Sequence, residues 1–166
     1  MMDLLVYKDT GHVLAAGLRQ DRGDSDPDVE EFVGDGLILR DAASGETLVT
    51  VPPDHLELRT IDQRDDVLMT ARSFVLVDDL PEQKTDPGDP LELDGAKIEV
   101  TLPAAAPENL AVSVLIEGGP QPLVHQVDLL KGSTVGTEAL NLPSGDYRAL
   151  VLIPGYRLSL EKVTVP

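Results

Sequence analysis

Apolar and polar positions along this chain alternate with a period of two far more often than they recur every three or four residues. Short runs rich in Leu, Val and Ile are cut by Gly, Pro, Asp and Asn, the spacing of β-sandwiches and barrels. Residues 4–7 and 13–18 flank the turn Asp9-Thr10-Gly11 and predict a hairpin. Further strands are predicted over 37–40, 47–51, 55–61, 67–71 and 74–77. In the run 55–61, Leu56 and Leu58 alternate with Glu57 and Arg59, as in a half-buried strand. A second series covers 97–102, 110–116, 123–130, 138–142, 147–153 and 156–165. Only residues 29–33 suggest a helix, and no internal repeat is evident.

Two polar stretches interrupt this pattern. Residues 20–31, QDRGDSDPDVEE, hold almost nothing to bury and predict an exposed acidic loop. Residues 81–90, PEQKTDPGDP, combine Pro81, Pro87, Pro90 and Gly88 with charges, and predict a linker, because proline neither donates to a ladder nor continues a helix. The expected fold is all-β, with two small antiparallel domains in tandem. Residues 1–80 form a barrel or sandwich, 81–90 the linker, and 91–166 a second β domain.

The segment LNLPSGDYRALVLIPGY (140–156) places a Leu-Pro-x-Gly-x-Tyr turn, Leu142 to Tyr147, before an alternating strand that ends on Pro154-Gly155-Tyr156. Pro143 fixes φ for the turn, and Gly145 can take the positive φ that reverses the chain. This resembles the closing strands of carboxypeptidase regulatory-like (transthyretin-like) β-sandwich domains. The resemblance spans roughly residues 91–166. It implies an Ig/transthyretin-like sandwich, a Tyr147 hydroxyl bonded to nearby backbone, and a non-catalytic scaffolding or interaction role. Residues 1–80 resemble no family.

Composition narrows the function classes. Apolar residues make up 42% of the 166, enough for a core, but aromatics are 3% and Trp is absent. The core must come from Leu, Val, Ala and Ile, and platforms for stacking sugars or bases are disfavoured. The formal charge is −17; residues 1–90 hold 21 acids and 8 bases, the remainder 9 and 5. Such a surface repels phosphate backbones and anionic membranes, so neither nucleic acid nor membrane is an expected partner. Without Cys there are no disulfides or thiolate metal sites. The opening MMDLLVYKDTG has neither the basic nor the apolar region of a signal peptide, and no apolar run reaches the roughly 18 residues of a membrane span. A cytoplasmic location, or a place in a particle assembled there, is expected.

Four patterns carry possible chemistry. Asp9-Thr10-Gly11 is the aspartic-protease triplet, which works as two aspartates sharing a proton and would require a dimer here. Lys8 and His12 flank it where apolar and small residues are usual, and the same triplet is an ordinary hairpin turn. Asp21, Asp24, Asp26 and Asp28 give a weak Ca²⁺ set in the acidic loop, without the loop glycine or flanking helices. Ser159 and Lys162 have acyl-transfer spacing, but on a strand positions three apart face opposite ways. His12, His55 and His125 are widely separated and read as turn or surface residues. The expectation is therefore no enzyme, no cofactor and no catalytic residue. The expected role is a structural or adaptor protein that contacts other proteins, as a homo-oligomer or as part of a larger assembly such as a virion or phage-tail-like particle. The alternative is an accessory domain for Ca²⁺ or polysaccharide.

Overall fold

Residues 1–19, 28–117 and 122–166 are described by the computed structural model. Strands form almost wherever the alternation predicts them, and the fold is all-β, built of several small antiparallel sheets. β1 (Met2–Tyr7) turns through residues 8–12 into β2 (Val13–Leu18). A one-turn helix, α1 (Val29–Val33), leads to the hairpin β3 (Leu37–Arg40) and β4 (Thr47–Val51). β5 (Leu56–Ile61) returns to pair with β1, completing the sheet β2-β1-β5. Met2, Leu4 and Val6 point to one side of β1, into a core with Val13, Val67 and Phe74.

Two expectations in this half are corrected. Residues 67–71 are not a strand: α2 (Asp65–Thr70) occupies the region. Asp65 and Asp66 sit in its first turn, where carboxylates favour a helix start. Val67, Leu68 and Ala71 then recur on the buried side while Met69 is 80% exposed. The proline-rich stretch 81–90 does not begin as a linker either. β6 (Phe74–Val77) and β7 (Leu80–Gln83) form a hairpin, with Pro81 in the strand and buried. Asp78 and Asp79 make its tight turn at φ of 50° and 62°, a conformation Asp tolerates better than most residues.

Seven strands follow: β8 (Leu91–Leu93), β9 (Lys97–Thr101), β10 (Leu110–Glu117), β11 (Leu123–Leu129), β12 (Val135–Ala139), β13 (Gly145–Leu152) and β14 (Ser159–Val165). They make a four-stranded sheet, β11-β10-β13-β14, and a three-stranded sheet, β12-β9-β8, all antiparallel. Val112, Val114, Ile116, Ala149 and Val151 from the first sheet, with Ile153 just past β13, meet Leu91, Leu93, Ile98 and Val100 from the second in one core.

The other face of the central strands β10 and β13 is buried as well. Leu115, Leu150 and Leu152 join Tyr7, Leu14, Leu39, Val49, Val51 and Leu56 in a core drawn from both sides of residues 81–90. β13 therefore faces a core on each side, which explains why Ala149 to Ile153 is an unbroken apolar run. Polar ties seal the rim: Glu46 binds the guanidinium of Arg148 and, at 2.8 Å, the ammonium of Lys162. The Thr50 N–H donates to the Glu117 carboxylate at 3.1 Å.

Candidate functional site

The Asp-Thr-Gly triplet serves the hairpin. Gly11 has φ +72°, its N–H donates to the Tyr7 carbonyl at 2.9 Å, and its own carbonyl accepts from Leu76 N–H at 2.8 Å. A Cβ on Gly11 would lie 2.8 Å from the Leu76 oxygen, so both the backbone angle and the close approach demand glycine. Asp9 is exposed on the outside of the turn.

His12 contradicts its reading as a turn or surface residue, because its side chain is fully buried. Its Nε2 lies 2.9 Å from the carbonyl oxygen of Tyr156, 144 residues away, and its Nδ1 lies 2.7 Å from Thr10 Oγ1. A carbonyl can only accept, so Nε2 carries the proton and Nδ1 accepts from the Thr10 hydroxyl. Burial holds this imidazole neutral and lowers its pKa to about 4, against the pull of the Tyr156 and Ile153 backbone. His12 is thus a pin between the first hairpin and the turn before β14. Its isolation in the sequence hides this, since the groups that bury it come from distant segments.

The other sequence-selected residues remain apart. His55 stacks on the buried Tyr7 ring, with centroids 5.7 Å apart and planes within 2°. Burial raises the Tyr7 pKa; its hydroxyl lies beside Ser113 without a well-formed hydrogen bond. His125 is half-buried on β11. Asp28 precedes α1 and is exposed, with no side-chain capping bond, while Asp21, Asp24 and Asp26 lie outside the described residues. No group of three or more His, Asp or Glu side chains suited to a metal occurs among the described residues. Ser159 donates to Glu161 at 3.0 Å and Lys162 turns to Glu46, so that pair never meets.

What the described surface does offer is strand edges, and they differ. β5 carries the Glu57–Arg59 ion pair, with Asp79 adding to it. β14 has residues 85–95 alongside it, through the Thr85–Tyr156 bridge and the packing of Gly95 on Val165. β11 ends the four-stranded sheet, and Gly136 of β12 packs against it at Asp128 and Leu129. The first half, Leu123 to Gln126, holds no Lys, Arg, Asp or Glu, and exposes 49% of Leu123 and 40% of Val124. Val124 also borders a groove of about 490 Å³ floored by Pro52, Pro53 and Pro122. Native edges are commonly blunted by charge or proline, so a charge-free, apolar edge invites pairing. Among the described residues Phe32, 43% exposed, is the one Phe, Tyr or Trp in the exposed class. No helix among the described residues is long and apolar enough to cross a membrane. Compared with family models, curated proteins and solved structures, the chain matches none.

Proposed function

We propose that this protein is a non-catalytic structural or adaptor component of a multi-protein assembly, joined to its neighbours through the open half of β11. The observation that carries the reading is the contrast within one sheet. The central strands β10 and β13 are covered on both faces by the chain itself, yet the sheet ends in an edge with Leu123 and Val124 exposed and no charge to block pairing. Homo-oligomers and particles of the virion or phage-tail kind are the assemblies such an edge suits.

The second half is read as an Ig/transthyretin-like sandwich of the carboxypeptidase regulatory-like kind. Support comes from the two sheets over one core and from the Tyr147 hydroxyl, which donates to the Pro143 carbonyl at 2.8 Å, four residues upstream.

The test is the native mass of the protein in gently lysed extracts of its own cells. The wild type should run in a species well above its 17.8 kDa chain mass. Val124→Lys should return it to that mass with the melting temperature unchanged, since the site is exposed and a surface change there costs within about 0.5 kcal/mol. A wild-type protein that runs as a lone chain overturns the reading.

A further inference from the structure

On the reading that β11 is the docking strand, the groove beside it narrows what that strand can pair with. β11 is paired with β10 alone, so alternate N–H and C=O groups of residues 123–126 point away from the sheet. Pro122, which has no N–H to offer, bounds this stretch at one end. Toward the other end, Gly136 of β12 packs at Asp128 and Leu129. The open edge is short, and an added strand would meet it over a few residues.

One face of such a strand has a defined destination. Val124 stands opposite Leu115 of β10, whose side chain lies in the core with Tyr7, Leu39 and Val51. Cross-strand partners share a face, so Val124 and any residue paired with it from outside point toward the corner at residues 50–55. The groove of about 490 Å³ there is apolar at Val124, Pro52 and Pro53 and carries the carboxylates of Asp35, Asp54 and Glu117. No Lys or Arg lines it. Lys8 is occupied by the Asp54 carbonyl oxygen at 2.8 Å, and Arg148, cross-strand from Glu117, is bound by Glu46. Among the described residues no ion pair holds any of the three carboxylates, and they are not grouped to hold a metal ion.

We propose that β11 pairs with an extended segment of a different, basic protein chain. That segment places a Lys or Arg beside Val124, with its aliphatic stem on Pro52 and Pro53 and its cationic head among Asp35, Asp54 and Glu117. Stem and head match the two linings of the groove. Backbone pairing at the edge supplies affinity with little sequence preference, and the groove supplies the selection. A second copy of this chain fits worse. Its own edge residues, Leu123 to Gln126, include no Lys or Arg. Antiparallel pairing of two copies would also set two acidic grooves side by side on chains of −17 each.

NMR titration of the full chain at low salt with a capped peptide, TVTKTVT, and with counterparts carrying norleucine or glutamate in place of the lysine, tests this. Amide shifts at 123–126 should saturate with the lysine peptide about fivefold more tightly than with the norleucine peptide, and the glutamate peptide should not bind. Salt at roughly 0.5 M should shrink that preference and leave norleucine binding as it was. Asp35→Asn combined with Asp54→Asn, both at exposed positions, should shrink it in the same way. Val124→Lys, which sets a cation of this chain at the groove, should abolish binding of the lysine peptide. Equal affinity of all three peptides at 123–126 would leave β11 as the docking strand and overturn the basic occupant. Shifts confined to residues 35 and 50–55 would overturn the pairing with β11 as well. No shift with the lysine peptide overturns the basic strand, and the native mass of Val124→Lys then judges β11 by itself. Self-association of the purified chain through 123–126 would overturn the proposal by making a second copy the occupant.

Discussion

At the scale of single residues, buried His12 contributes an acid-sensitive part of the stability. Its folded pKa of about 4 lies below the ordinary 6.5, so the unfolded chain takes the proton first. Stability contributed by neutral His12 is complete above pH 6.5 and is lost as pH falls toward 4, a change of about 3 kcal/mol. Urea melts at pH 7 and pH 4 should show that contribution as the difference between the pH dependence of the wild type and that of His12→Gln, because Glu161, raised from 4.5 to about 7, gains support over the same range. The sequence makes the Asp-Thr-Gly turn legible, because Asp and Gly there are local turn chemistry. It conceals the fate of the next residue, since Val75 and Tyr156, which pair with and bond His12, lie far along the chain. Glu161 is hidden for the same reason: a carboxylate in a strand reads as an outward position until the buried Ala149 of β13 is seen opposite it.

At the scale of elements, β13 is the strand on which both halves depend. Because Val151 and Leu150 face different cores, Val151→Asp and Leu150→Asp should each cost several kcal/mol by burying an unpaired charge, as thermal melts would show. A strand with one solvated face would tolerate one of the two. Packing between β12 and β11 is equally tight: an added Cβ on Gly136 would lie 2.7 Å from Leu129 Cγ and 2.8 Å from the Asp128 oxygen. Gly136→Ala should therefore destabilise by about 1–3 kcal/mol, measurable in the same melts. Period-two alternation made most strands readable, and the short helix α1 (Val29–Val33) also lies where the sequence places it. It failed at α2, where Val67-Leu68-Met69 is apolar at either period and the decisive signal is the Asp65-Asp66 pair at the helix start. It failed again at β7, where proline reads as a break although an edge strand accepts it.

At the scale of the whole molecule, the core formed by Tyr7, Leu39, Val49, Leu115, Leu150 and Leu152 spans the segment 81–90. With Glu46 bound to Arg148 and Lys162, this joins the β3–β4 hairpin to the four-stranded sheet. A single cooperative calorimetric transition is expected, with van't Hoff and calorimetric enthalpies equal. Two resolved transitions would mean that the halves fold separately, the tandem arrangement that proline and charge at 81–90 suggest. Long-range pairing of this kind cannot be read from composition, because each apolar run is compatible with several partners. The net charge of −17 is legible, but it informs solubility and partner class, not the contact edge. That edge is tested most directly by comparing hydrogen exchange of the isolated protein with that of the assembly recovered from its own cells. Residues 123–126 should gain strong protection in the assembly while residues 56–61, on the ion-paired edge of the other sheet, stay as they are in the isolated chain. Unchanged exchange across 123–126, with protection gained elsewhere, would contradict β11 as the docking strand.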